Sequence, residues 1–431
     1  MPNDISEETM KKILFGISLV LLLLLIACSG DTSPFADTHS TDTPATEAPF
    51  AETETNAPMT EAETETYNVD PAVTEALSAD TETDAPVTES ETETESESEA
   101  VPVKTFKNPI VDHAAADPCI VYHNGYYYGT FTEAVGISLY RSTTLENIFR
   151  GEKKVVFNLC EEVQGNIWAP ELFYNPATDR WYIYSCGSKN GWDFFTIRMF
   201  CLESKTNDPF GEYVFKGYTD PDVLAIDQTM FYDEAGGNLY TAYSEFTDAG
   251  QVIMVALMEN PWTISDKRIR VSYPRYAWEK KGERADKDSR VNEGPVFLCH
   301  DGKLSLIYSA SGCWSEFYCL GLVEFRGSDF SVDEMLSRGN WKKKSEPVFS
   351  AANEVYGVGH CFFFTSPDGS ETWIAYHGMP TPDAGEEGRY PYVQRISFDK
   401  NGLPILGEPL SRDTEIGIPS GEPISETETK V

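Results

Sequence analysis

The feature that most restricts this chain is a hairpin that recurs five times, with no long amphipathic helix pattern between the copies. An aromatic, β-rich run follows a turn each time. Tyr126-Tyr127-Tyr128-Gly129-Thr130 follows His123-Asn124-Gly125, and Trp181-Tyr182-Ile183-Tyr184-Ser185 follows Asn175-Pro176. Leu239-Tyr240-Thr241-Ala242-Tyr243-Ser244 follows Gly236-Gly237, and Leu304-Ser305-Leu306-Ile307-Tyr308-Ser309 follows Asp301-Gly302. The fifth, Trp373-Ile374-Ala375-Tyr376-His377, follows Asp368-Gly369. Asn-Gly and Asp-Gly between such runs favour tight hairpins, because both turn residues accept positive φ.

A polar motif stands ahead of each hairpin: Ala116-Asp117-Pro118, Trp168-Ala169-Pro170-Glu171, Ile226-Asp227-Gln228, Asn292-Glu293-Gly294-Pro295 and Gly359-His360. Asp117, Glu171, Asp227, Glu293 and His360 are 54, 56, 66 and 67 residues apart. A repeat of that length built of strands fits a four-stranded blade, so the expectation is an all-β, five-bladed β-propeller. The innermost strand of every blade faces the central channel, so residues at equivalent strand starts meet at one mouth. A β-sandwich or a pair of small β domains is the alternative, and it leaves the recurring motifs unexplained.

The repeats occupy only part of the 431 residues. Lys11-Lys12 followed by the apolar run Ile13–Ile26 reads as an export signal, too short for a spanning helix. It ends in Leu25-Ile26-Ala27-Cys28, which resembles a bacterial lipoprotein processing box and makes Cys28 the expected lipidated residue. Met10 competes with Met1 as the start. From Ser29 to Val103 the chain is mostly Thr, Glu, Ser, Ala and Pro, with 20 acidic residues and no Lys or Arg. Such a segment buries too little apolar surface to offset chain entropy, and its like charges extend it. The expected organisation is a lipoprotein signal over 1–28, a disordered acidic linker over 29–103, the propeller over 104–412 and a polar C-terminal tail over 413–431.

This division reframes the net charge of −37, because Lys104–Val431 alone carries −16. That balance excludes nucleic acid as a partner, since phosphate binding needs clustered cations. Contact with a membrane is expected through the N-terminal lipid anchor alone, at the extracellular face of a bacterial cell membrane. Eight cysteines follow Cys28, mostly inside apolar runs and without CxxC or Cys/His metal spacing. Buried small hydrophobes are the favoured reading for most, although an exported location permits disulfides.

The motifs carry carboxylates in a chemically useful set. Glycosidic cleavage needs one carboxyl protonated and another ionised at the same pH. Glu293 precedes Gly294-Pro295-Val296-Phe297, a setting that desolvates it and raises its pKa, and an anionic Asp227 nearby acts in the same direction. Taken singly, each motif has a structural reading: Asp before Pro starts turns, and Asn-Glu-Gly-Pro suits a loop.

Roughly Asn108 to Pro409 resembles glycoside hydrolase family 43, which includes α-L-arabinofuranosidases, arabinanases and β-xylosidases. The resemblance rests on Trp168-Ala169-Pro170-Glu171-Leu172, Met258-Glu259-Asn260-Pro261-Trp262, Val291-Asn292-Glu293-Gly294-Pro295, Tyr308-Ser309-Ala310-Ser311 and Val393-Gln394-Arg395, which look most like the exo-acting α-L-arabinofuranosidases. It implies an inverting enzyme that releases arabinose from arabinan or arabinoxylan side chains, with plant cell-wall polysaccharide as its partner. Asp117 falls on the general base, Glu293 on the general acid and Asp227 on the carboxylate that orients the acid and tunes its pKa. Inverting carboxyls stand about 6.5–9.5 Å apart to admit water.

Trp168, Glu171, Phe231, Ser309 and Arg395 are the further substrate-contact candidates. Trp168 would stack on a sugar, or else belong to the core; Arg395 would contact the pocket carboxylates, or else form a structural ion pair. His360 matches a family histidine near a structural ion, so it is a candidate metal ligand and structural Ca²⁺ a candidate ion. The chemistry itself needs no cofactor. Lys267–Arg290, with nine Lys or Arg just before Glu293, is a candidate lid wall favouring substrate near anionic pectin, or a solvated loop. A β-xylosidase or endo-arabinanase of the same family, or a non-catalytic glycan-binding propeller, are the alternatives. The last predicts a broken carboxylate set, whereas all three are present.

Overall fold

A computed structural model describes residues 104–285 and 287–423. The export signal, Cys28 and the acidic linker lie outside these residues. After β1 (Thr105–Phe106) the chain builds five sheets in sequence. Blade 1 is β2 (Cys119–His123), β3 (Tyr126–Thr130), β4 (Gly136–Ser142) and β5 (Glu152–Asn158). Blade 2 is β6 (Gly165–Asn175), β7 (Arg180–Ser188), β8 (Ile197–Ser204) and β9 (Tyr213–Tyr218). Blade 3 is β10 (Ala225–Asp233), β11 (Asn238–Thr247), β12 (Gly250–Asn260) and β13 (Thr263–Ser272). Blade 4 is β14 (Asn292–His300), β15 (Lys303–Ala310), β16 (Cys319–Phe325) and β17 (Trp341–Lys343). Blade 5 is β18 (Tyr356–Thr365), β19 (Thr372–Met379) and β20 (Tyr390–Arg395).

Every blade is an antiparallel meander, and the hairpin turns explain why. Asn124 and Gly125 have φ of 48° and 85°, and Asp301 and Gly302 have 48° and 72°. Two consecutive left-handed residues match the twist of the flanking strands.

The second strands read as continuous apolar runs because both of their faces are buried. Successive side chains point to opposite faces of a strand. Thus Trp373 and Ala375 enter a cluster shared with blade 1, while Ile374 and Tyr376 enter one shared with blade 4. Five such clusters fill the junctions between neighbouring blades, from blades 1 and 2 around to blades 5 and 1. This ring of junctions is the core.

One detail differs from the expectation of uniform four-stranded blades. Blade 5 has three strands, and the segment before blade 1 runs along its third. The Asn108 side chain donates to the Val393 carbonyl at 2.8 Å and accepts from its N–H at 2.9 Å, and Ile110 N–H donates to the Pro391 carbonyl at 3.0 Å. The expected polar tail is packed as far as it is described. Ahead of the tail β21 (Ser397–Phe398) pairs with β22 (Pro404–Ile405), and within it β23 (Ile416–Gly417) pairs with β1. Ile416 joins the junction of blades 5 and 1, and Glu422 accepts from Leu145 N–H at 3.0 Å. The eight described cysteines are free thiols. Among the described residues no helix is long and apolar enough to cross a membrane.

Candidate active site

The same irregularity interrupts every innermost strand at its channel end. In blade 3, Asp227 and Gln228 stand opposite the single residue Tyr243; in blade 4, Gly294 and Pro295 stand opposite Tyr308. Ala169-Pro170 faces Ser185 in blade 2, and His360-Cys361 faces Tyr376 in blade 5. In blade 1, Asp117-Pro118 faces Phe131, between the Thr132 N–H to Ala116 carbonyl bond and the Cys119–Thr130 pair. The first residue of each bulge is left-handed: Asp117 (60°), Ala169 (44°), Asp227 (60°), Gly294 (52°) and His360 (44°). Asp and Gly tolerate this conformation best, and a bulge re-aims the side chain beside it. Five bulges on five blades therefore turn their side chains toward one mouth.

The true register sharpens the sequence reading. Asp117, Asp227 and His360 are equivalent, whereas Glu293 lies directly before its bulge and Glu171 directly after. Blade 4 needs glycine at the bulge itself, because a Cβ on Gly294 would lie 3.1 Å from His360 Nδ1.

Asp117 is the most heavily partnered carboxylate. Thr132 donates its hydroxyl to Oδ2 at 2.6 Å, and the same hydroxyl oxygen accepts from Ala169 N–H at 2.8 Å. His360 Nδ1 and His377 Nδ1 each lie 3.3 Å from Oδ1, and Arg389 lies 3.7 Å away. Burial alone would raise its pKa, but His360, His377 and Arg389 outweigh burial and hold the carboxyl well below the usual carboxylate range. His377 is itself pushed down to about 4 by burial, so it faces Asp117 as a neutral ring.

Glu293 and Asp227 are displaced the other way. Glu293 accepts from Gln251 Nε2 at 2.9 Å and from the Tyr318 hydroxyl at 2.8 Å, yet burial dominates and raises its pKa. Asp227 accepts from Gly294 N–H at 2.9 Å. Burial raises Asp227 to about 7; His360 opposes this, and the charge of Glu293 adds to it. The ionisation of Glu293 thus feeds into that of Asp227, and the two titrations are linked.

These groups face a cavity of about 530 Å³, within the usual size range of a small-ligand pocket. Asp117, Asp227, Glu293, Trp168 and His360 all line it. Blades 2 and 3 add Phe194, Phe195 and Phe246; the connection from blade 3 to blade 4 adds Lys287, Asp288 and Arg290; blade 5 adds Glu386 and Arg389.

Four expected substrate contacts lie elsewhere. Glu171 is buried beside Cys119 and Cys361 and is not part of the cavity wall. Phe231 packs on Phe297 and Phe330 at the junction of blades 3 and 4. Ser309 accepts from His360 N–H at 2.8 Å, so it fixes the blade 5 bulge rather than meeting a ligand. Arg395 pairs with Glu371 at 2.8 Å, with its side chain 65% exposed. The pocket arginine is Arg389, just before β20, whereas Arg395 ends that strand. Six residues at about 3.3 Å each separate them by about 20 Å.

Sequence reasoning also missed Thr132, Gln251, Tyr318, Trp314 and His377. Only His377 stood in a quoted repeat, where its place after Tyr376 was a usable signal. The basic stretch is not one lid: Lys267–Arg270 lie in outer strand β13, and Arg268 pairs with Asp220. Of its cations at the cavity, Lys287 is engaged by Glu386 and Arg290 by Asp288. His360 contacts Asp117 and backs onto Gly294. Calcium takes six to eight oxygens, and among the described residues no group of three or more His, Cys, Asp or Glu is placed to hold a metal. No step is therefore routed through one.

Residues 106–404 match the family model for glycosyl hydrolases family 43. An extracellular exo-α-(1→5)-L-arabinofuranosidase of Streptomyces avermitilis is 33% identical over 333 residues, covering 72% of this chain and 65% of that protein. α-L-Arabinofuranosidase 43 of Humicola insolens is 30% identical, with 72% and 65% coverage. The chain thus spans about 65% of the length of these two relatives. The crystal structure of α-L-arabinofuranosidase from Lactobacillus brevis superposes with a TM-score of 0.63 at 27% identity, over 72% of this chain and 98% of that one. Five bulged blades, three converging carboxyls and the family match agree: the chain belongs to the glycosyl hydrolases family 43.

Proposed function

We propose that the propeller is an inverting exo-α-L-arabinofuranosidase that releases arabinose from arabinan or arabinoxylan side chains. The observation that carries this reading is the opposed displacement of carboxyls around one cavity: Asp117 is held ionised, while Asp227 and Glu293 are pushed up together. Asp117 takes a proton from water as the water oxygen attacks the anomeric carbon. The glycosidic C–O bond breaks in the same step, and Glu293 gives its proton to the departing oxygen. Asp227, held on the Gly294 N–H, orients the pair and keeps a proton available to Glu293 near neutrality. Thr132, His360, His377 and Arg389 keep Asp117 anionic and aimed. The relatives named as arabinofuranosidases supply the sugar in this reading, and the word extracellular in one of their names agrees with the export signal. Cys28 would tether the enzyme to the outer face of the membrane.

The test is hydrolysis of aryl α-L-arabinofuranosides, aryl xylosides and linear arabino-oligosaccharides, with product anomers followed by NMR. Asp117→Asn and Glu293→Gln are each expected to lower kcat by about 10²–10⁴ on the oligosaccharides. Wild-type turnover of xylosides alone, or a retained anomer, would overturn the assignment.

A further inference from the structure

An aromatic ridge leaves the cavity along blade 2. Trp168 and Phe194 stand in the wall with ring centroids 6.4 Å apart. Phe194 meets Phe246 edge-on at 5.1 Å and Phe195 at 5.7 Å. Beyond them the rings face water: Phe195 is 76% exposed, and Trp192 in the same loop is 58% exposed. A single exposed apolar residue needs no explanation, but two exposed aromatic rings in one loop that borders a cavity mark a binding surface. The loop presents these rings on a fastened backbone. Gly191 N–H donates to Gln164 Oε1 at 3.0 Å, Asn166 Nδ2 donates to the Trp192 carbonyl at 3.2 Å, and Phe195 N–H donates to Asp193 Oδ1 at 3.0 Å.

We propose that Trp192 and Phe195 form a stacking platform for the leaving-group side of the polysaccharide, the backbone sugars that stay behind when arabinose departs. This rests on reading the cavity as a glycosidase site. The cavity and the ridge are continuous through Phe194 and Phe195, so a chain whose terminal sugar reaches the carboxyls must continue past these rings. Sugar rings carry apolar C–H faces, and an aromatic ring offers a broad, rigid apolar face to meet them. The connection from blade 3 to blade 4 instead lines the cavity with the charged residues Lys287, Asp288 and Arg290, and the ring of the neighbouring Trp314 carries the Lys287 ammonium 4.7 Å from its centroid. The backbone therefore leaves over blade 2.

The test compares wild type with a Trp192→Ala/Phe195→Ala double variant of the full chain. On arabinan or arabinoxylan, KM is expected to rise about tenfold, the equivalent of about 1.4 kcal/mol. Trp192→Ala alone, at a residue outside the cavity wall, is expected to lower the ratio of kcat/KM on polymer to kcat/KM on an aryl arabinofuranoside, and the double variant to lower polymer kcat/KM further. An unchanged ratio overturns the proposal. A second arm needs no turnover: Glu293→Gln protein, with and without the double substitution, is run through native gels containing arabinan or arabinoxylan. Loss of retardation supports the platform, equal retardation overturns it, and the polymer showing the larger loss identifies the backbone. Wild-type inactivity on aryl arabinofuranosides would sink the enzyme assignment, while the gels would still judge the platform. A wild-type dimer that the double substitution dissociates, with polymer retardation intact, also overturns the proposal.

Discussion

Replacing Tyr318 with Phe removes one hydrogen bond from Glu293 and the hydroxyl's contact with Ser309. The lost hydroxyl donates to Glu293 Oε1 at 2.8 Å, while the ring stacks on His377 at 5.3 Å with planes 5° apart, a contact that Phe keeps. A hydrogen bond to a charged acceptor is worth about 1.5–3 kcal/mol. It favours ionised Glu293, so its loss raises the pKa, by about 1–2 units at 1.36 kcal/mol per unit. A general acid works while protonated, and activity falls as pH rises through its pKa. The alkaline limb of the kcat/KM profile should therefore move up by about 1 unit, with part of the shift absorbed by Asp227, whose titration is linked to it. The assay is kcat/KM from pH 4 to about 10 on a linear arabino-oligosaccharide, whose poor leaving group demands the acid, with melting curves to confirm an intact fold. The acid limb should stay in place, because Asp117 is held by other partners. An alkaline limb that stays put or moves down would falsify the assignment of Glu293 as acid.

Three further outcomes follow from the same geometry. Asp227→Asn should abolish most activity yet stabilise the fold above neutral pH. The native pKa near 7 lies above the free carboxyl's 3.8, so this group's contribution is present below pH 4 and lost as pH rises to 7. Removing that penalty is worth at most about 4 kcal/mol, shared with Glu293, and urea melts should show a gain that is small at pH 4, about 1.7 kcal/mol at pH 5 and full at pH 8. Gly294→Ala should destabilise by about 1–3 kcal/mol, because alanine is strained at φ 52° and its Cβ would press on His360; an unchanged urea midpoint would remove the stated need for glycine. Arg389→Met should cripple kcat/KM, whereas Arg395→Met should change stability by less than about 0.5 kcal/mol and activity not at all; equal losses of activity would place the wrong arginine at the pocket.

What the sequence by itself determined was the architecture and which carboxylates meet at one cavity. Hairpin turns and apolar runs are local and periodic, so Asn124-Gly125, Asp301-Gly302 and the five second strands announce the blades. The motifs around Asp117, Asp227 and Glu293 lie in register with them. Only the tertiary structure decided how those groups are aimed and what surrounds them. The bulges exist because a two-against-one count is a property of paired strands, which one strand's sequence does not display. That is why Glu171 looked equivalent to Asp117, although it stands just past its bulge. The partners of Asp117 come from both ends of the domain, with Thr132 in blade 1 and His360, His377 and Arg389 in blade 5, and only ring closure brings them together. Arg395 carried the familiar motif and Arg389 did not, yet strand direction puts Arg389 at the mouth and Arg395 at the far end.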